Sequence, residues 1–252
     1  MGKKKCNRNA SFYRDRAEEL RELQKALETQ FIGKTMNLAP LQVAVKDLEK
    51  IAARDKDEDE WKCNITNLII PFGDVRNVEP AEIDARISIS CMFKTTIDAW
   101  NNAKCDPFNT YSFMLRVFGD YDGVEYSWGL YIDKSPTTGT VEEWHPLYHL
   151  HCFESRANGV TILIDNEKKK GTMHLNVPRL VHYPLDIMLG IGFCLTNFYK
   201  KEMFTKFCGK SGSQFVRYYK QSQERILKPF FESLANNRDS VYNVKDLCPQ
   251  IV

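Results

Sequence analysis

The chain has five histidines, His145, His149, His151, His174 and His182, and all of them fall between positions 145 and 182 of 252. Two stand two residues apart in the stretch "YHLHCFES". An imidazole with its ordinary pKa near 6.5 can take or give a proton at neutral pH, and its neutral ring nitrogen is also a common metal ligand. Residues two apart in a strand share one face, so His149 and His151 are expected to project together. The dipeptide Asn158-Gly159 predicts a two-residue hairpin turn. Counting outward from it, Phe153 faces Ile164 and His151 faces Asn166. A five-residue loop at 167 to 171 then sets His174 opposite Ile164, on the same sheet face as the pair.

Two chemistries compete for this arrangement. An HxH pair followed by a carboxylate suits a metal, but Glu154 has the wrong parity to join His149 and His151. His174 would lie roughly 12 Å from His151, given strands about 4.8 Å apart, which is too far to share an ion. That spacing better suits a substrate held between an acid and a base. Cleavage of a phosphodiester needs such a pair together with cationic donors for the phosphate oxygens. The sequence therefore predicts His149, His151 and His174 as catalytic groups and Arg156, Lys169, Arg179 and His182 as substrate-binding groups, with no metal and no cofactor. Singly, some of these residues have plainer accounts: His145 precedes a proline in a loop, and His182 enters the helix that follows Tyr183-Pro184.

Something must position these side chains, and composition limits what. With 43% hydrophobic and 12% aromatic residues the chain can bury a proper core. No apolar run approaches the roughly 20 residues of a membrane span, and "MGKKKC" lacks the apolar centre of a signal peptide, so the expected location is cytoplasmic, with no membrane partner. The eight cysteines form no CxxC pair, which points to reduced thiols, several of them in core positions such as Cys91. A net charge of +2 argues against a strongly electrostatic nucleic-acid binder.

"SFYRDRAEELRELQKALETQFIGK" carries Tyr13, Ala17, Leu20, Leu23, Leu27 and Phe31 on one helical face. Its stripe is expected to pack on its own domain or to pair with a partner or a second copy. A second helix starts at Pro40. From Asn64 the period becomes two, with Ile87, Ile89, Cys91 and Phe93 on one face, then a long hairpin with "GDYDG" at its tip, then "YHLHCFES", "VTILIDN" and "TMHLNV". "PLDIMLGIGFCLTNFYKK" is apolar nearly all round and reads as a buried helix across the sheet. The last helix, from about Gly212, should be kinked by Pro229. The expectation is an α+β fold: a helical arm over 1–60, then a domain over 61–252 in which an antiparallel sheet of about six to seven strands packs against C-terminal helices.

"HPLYHLHCFES" followed by "VPRLVHYPLDIMLGIGFCLTNFY" resembles a pattern in uncharacterised bacterial proteins, some met near defence or toxin-type gene clusters. The resemblance covers about a quarter of the chain and implies a prokaryotic or phage-related origin. It carries no activity or site residues, and Cys152-Phe153-Glu154 departs from the glycine-rich continuation that would follow HLH in it.

The expected function is binding or metal-independent cleavage of a phosphodiester in RNA or a nucleotide, within a defence or toxin-type system. One alternative is a non-catalytic adaptor that docks onto a larger assembly through the N-terminal helix and exposed aromatics such as Trp144 and Tyr148. A second is a metal-dependent hydrolase with an HxH site.

Overall fold

A computed structural model of the chain describes residues 9–54, 58–73, 83–102, 104–135, 146–156, 180–209, 213–235 and 241–248. Among the described residues there are six strands: β1 (Glu60–Pro71), β2 (Arg86–Thr96), β3 (Thr110–Tyr121), β4 (Val124–Lys134), β5 (Tyr148–Arg156) and β6 (Leu180–Val181). They lie in the order β1-β2-β3-β4-β5-β6 with every neighbouring pair antiparallel. The fold is thus α+β with an antiparallel sheet, as the alternation predicts. The segments "VTILIDN" and "TMHLNV" lie outside the described residues, and the short β6 has no counterpart in the sequence reading.

The hairpin tip is set by backbone chemistry. Tyr121 pairs with Val124 across Asp122-Gly123, and both turn residues have positive φ, 49° and 72°. That is the type I′ geometry whose twist matches the flanking strands, and Gly and Asp tolerate it better than most residues.

One sheet face is apolar. Ile87, Ile89, Cys91 and Phe93 of β2, Tyr111, Phe113, Leu115 and Val117 of β3, and Leu130, Ile132, Tyr148 and Leu150 of β4 and β5 are all buried. Each large side chain so removed from water contributes about 1.5–3 kcal/mol. Helix α1 (Ala10–Gln30) packs on α2 (Ala39–Ala52), and its stripe from Tyr13 to Phe31 joins the same core. The face that could have sought a partner is covered by its own chain.

Beyond the short α3 (Ile97–Asn101), helix α4 (Ile187–Asn197) is buried on most sides, as its all-round apolarity requires, and packs against the sheet. It comes so close at Gly190 that a Cβ there would lie 2.5 Å from the Phe113 ring. After α5 (Lys201–Phe207) come α6 (Ser213–Ser222), a π-helical turn (Gln223–Leu227), α7 (Lys228–Ala235) and the short α8 (Val244–Leu247). Where the sequence predicts a kink at Pro229, a π-helical turn stands just before Lys228-Pro229. Lys228 donates its N–H to Gln223 O, five residues back, so the helix widens one turn before the proline that has no N–H to give.

The cysteines divide. Cys63, Cys91 and Cys194 are buried as expected, whereas Cys105 and Cys152 are exposed.

Candidate metal centre

The alternation that buries Leu130 and Ile132 of β4 turns Tyr131 and Asp133 to the opposite face, away from the helices. On β5 the same logic buries Tyr148 and Leu150 and turns His149 and His151 outward. The register sets Asp133 directly opposite His149 and Tyr131 opposite His151. The strand ends are held from the core side: Tyr148 donates its hydroxyl to Asp106 Oδ1 at 2.6 Å, and Lys134 Nζ lies 2.8 Å from Asp106 Oδ2. Burial pushes the Tyr148 phenol well up, so it stays a neutral donor. Tyr148 is fully buried, which corrects its expected place among exposed docking aromatics.

Three donor groups converge on the outward face. His149 Nε2 is 2.8 Å and His151 Nε2 3.9 Å from Asp133 Oδ1. One ligand atom from each of the three residues fits within 4.8 Å of the others. Donors at about 2.0–2.2 Å from a tetrahedral ion are about 3.4 Å from one another, so modest side-chain rotation brings all three into range. The two imidazoles meet edge to face with centroids 4.8 Å apart, and Tyr131 flanks His151 at 6.4 Å.

The His149 tautomer follows from its other nitrogen. Nδ1 lies 3.3 Å from Pro146 O and 3.4 Å from Ser135 Oγ, while the Ser135 hydroxyl itself donates to Pro146 O at 2.9 Å. A carbonyl only accepts, so Nδ1 carries the proton and a neutral ring has its lone pair on Nε2. That lone pair is directed into the cluster containing Asp133 Oδ1. Asp133 Oδ1 is buried, and among the described residues no hydrogen-bond donor is aligned with it. A proton on Nε2 would make the contact an ion pair and a metal ion would bridge it; an imidazole oriented through its second nitrogen by a carbonyl is the usual support of a metal ligand. The side chains of His151 and Asp133 are 30% and 31% exposed against 5% for His149, so the cluster has one buried anchor and one side open to solvent.

No family model, curated protein or solved structure matches this chain.

The sequence-predicted residues fare differently. His149 and His151 share a face and are brought together. His182 continues the β6 ladder by donating its N–H to Tyr148 O, which by alternation places its ring on the Tyr148 side of the sheet, away from the pair. There its Nδ1 donates to Tyr183 O at 2.6 Å, and burial lowers its pKa below the usual imidazole value. Arg156 ends β5 opposite Tyr126. His174, Lys169 and Arg179 lie outside the described residues. The residue that sequence reasoning missed is Asp133. Its signal was the parity of "GLYID", but the β4–β5 register that makes it face His149 runs across a loop with no turn dipeptide to count from.

Proposed function

We propose that the protein holds one divalent transition-metal ion at Asp133, His149 and His151 and uses it to hydrolyse a phosphodiester in RNA or a nucleotide. The observation that carries this reading is the convergence of three ligand atoms on the solvent-open side of β4 and β5, with the His149 tautomer set by Pro146 O. Two imidazoles and one carboxylate suit zinc and its neighbours, and three protein ligands leave a coordination position for water. Such an ion lowers the pKa of bound water toward about 7 and withdraws charge from a phosphoryl oxygen. His149 is the fixed anchor, Asp133 supplies negative charge, and His151 with Asp133 forms the wall that substrate meets. The phosphodiester class rests on a cation near in sequence: Arg179 stands two residues before Val181, which pairs with His149.

In the testing experiment, purified protein is stripped with chelator, reloaded separately with zinc, manganese and iron(II), and assayed on a chromogenic phosphodiester and on RNA oligonucleotides. The expected result is hydrolysis that chelator abolishes and one of the metals restores. Activity indifferent to chelator returns the histidines to metal-free acid–base work, and metal binding without hydrolysis refutes the reaction while leaving the centre.

A further inference from the structure

On the other side of the sheet, α1, α3 and the start of α4 enclose a second cluster of charge. Arg16 and Glu19 of α1 are 8% and 4% exposed, Asp186 caps α4 at 2%, and Trp100 of α3 is at 2%. They line a cavity of about 10 Å³, closed by the aromatic walls of Trp61 and Phe93. That volume is about the least that admits one water-sized particle and leaves no room for a phosphate, a sulfate or a carboxylate. Arg16 and Glu19 form an ion pair, and the Arg225 guanidinium stacks on the Trp100 ring at 4.3 Å.

The hydrogen-bond balance is lopsided. Among the described residues, Arg16 Nε, Trp100 Nε1 and Arg225 Nη1 are buried with no aligned acceptor, while Arg16 Nη1 and Glu19 Oε2 face each other at 2.5 Å in the ion pair. The Asp186 carboxylate accepts from Leu189 N–H at 2.9 Å and from the Ser222 hydroxyl at 2.5 Å and is not aligned with those donors. Burial pushes the Glu19 carboxyl up to about 7 against the pull of Arg16 and Arg225, so near neutrality it is in part uncharged and a donor itself. The Arg225 guanidinium is drawn down to about 10, first by burial and then by Arg16, and remains cationic. Buried donors without acceptors cost about 1–3 kcal/mol each, more when charged. A water accepts two hydrogen bonds but must also place two protons, whereas a monatomic anion accepts from every side.

We propose that this cavity binds a single chloride ion, held by Arg16 and the Trp100 indole N–H, that joins α1 to the α3–α4 side of the core. The site is separate from the Asp133–His149–His151 centre, which lies on the opposite sheet face.

The test is thermal unfolding of the full chain with chloride titrated against gluconate, an anion too large to enter, at constant ionic strength. The expected result is a saturable rise in Tm of about 4 °C at ten times the dissociation constant. Trp100→Phe, which keeps the ring and deletes Nε1, should weaken the chloride response about tenfold. Bromide in crystals should give one anomalous peak between Arg16 and residue 100 of the wild type. Equal Tm in the two salts, an unchanged response in the variant, or no bromide peak in the cavity would each overturn the proposal.

Discussion

Asp133 and His149 stand directly opposite on β4 and β5, with Oδ1 and Nε2 2.8 Å apart and, among the described residues, no hydrogen-bond donor aligned on the carboxylate oxygen. The pair is arranged as ligands are, and its second support is Ser135, whose hydroxyl ties down the Pro146 carbonyl that orients His149. Ser135→Ala should therefore leave the fold intact and weaken metal affinity about tenfold, the lower end of what loss of an orienting partner costs. Calorimetric titration of both proteins with zinc checks it, and an unchanged affinity would remove Ser135 from the site.

Glu19 makes stability depend on pH in a direction opposite to that of an ordinary surface acid. Its folded pKa is about 7 against 4.5 for the free group, raised chiefly by burial and opposed by Arg16 and Arg225. Between those values the folded state holds a proton that the unfolded chain has lost, so stability falls as pH rises and is lowest above the folded pKa. The unfolding free energy of the wild type minus that of Glu19→Gln should drop by about 3 kcal/mol between pH 4.5 and pH 7.5. Denaturant titrations of both proteins across that range measure the difference, and a flat difference would contradict the burial of a titrating Glu19.

The close passage of α4 over β3 is testable at Gly190. A Cβ there meets the Phe113 ring at 2.5 Å, and Phe113 is wholly buried with nowhere to retreat. Gly190→Ala gains about 1 kcal/mol of helix propensity but overpacks the core at a cost of about 1–3 kcal/mol. The net expectation is a Tm lower by a few degrees. A raised Tm would mean that α4 sits further from the sheet.

The sheet was legible because alternation is a local signal. Ile87 through Phe93 and Tyr111 through Val117 bury every second residue whatever their neighbours in space, and Asp122-Gly123 announces its own turn. The two histidines were legible for the same reason. Asp133 was not, because joining it to His149 needs the β4–β5 register, a relation between residues 16 positions apart that no local turn pattern fixes. The π turn before Pro229 was hidden for a different reason. A proline predicts that the helix must adjust, but whether by bend or by widening depends on what packs around it. The buried Arg16–Glu19–Asp186–Arg225 group had no sequence signal at all, since on α1 alone Arg16 and Glu19 look like members of a charged, solvated face.

The central claim is the metal centre, and stoichiometric titration of chelator-stripped protein with zinc tests it most directly, run in parallel on wild type, Asp133→Ala, His149→Ala and His151→Ala. The account predicts one ion per chain for the wild type and an affinity at least about a hundredfold weaker in each variant, with folding preserved. Wild-type protein that takes up no ion, or variants that bind as tightly as wild type, would contradict it.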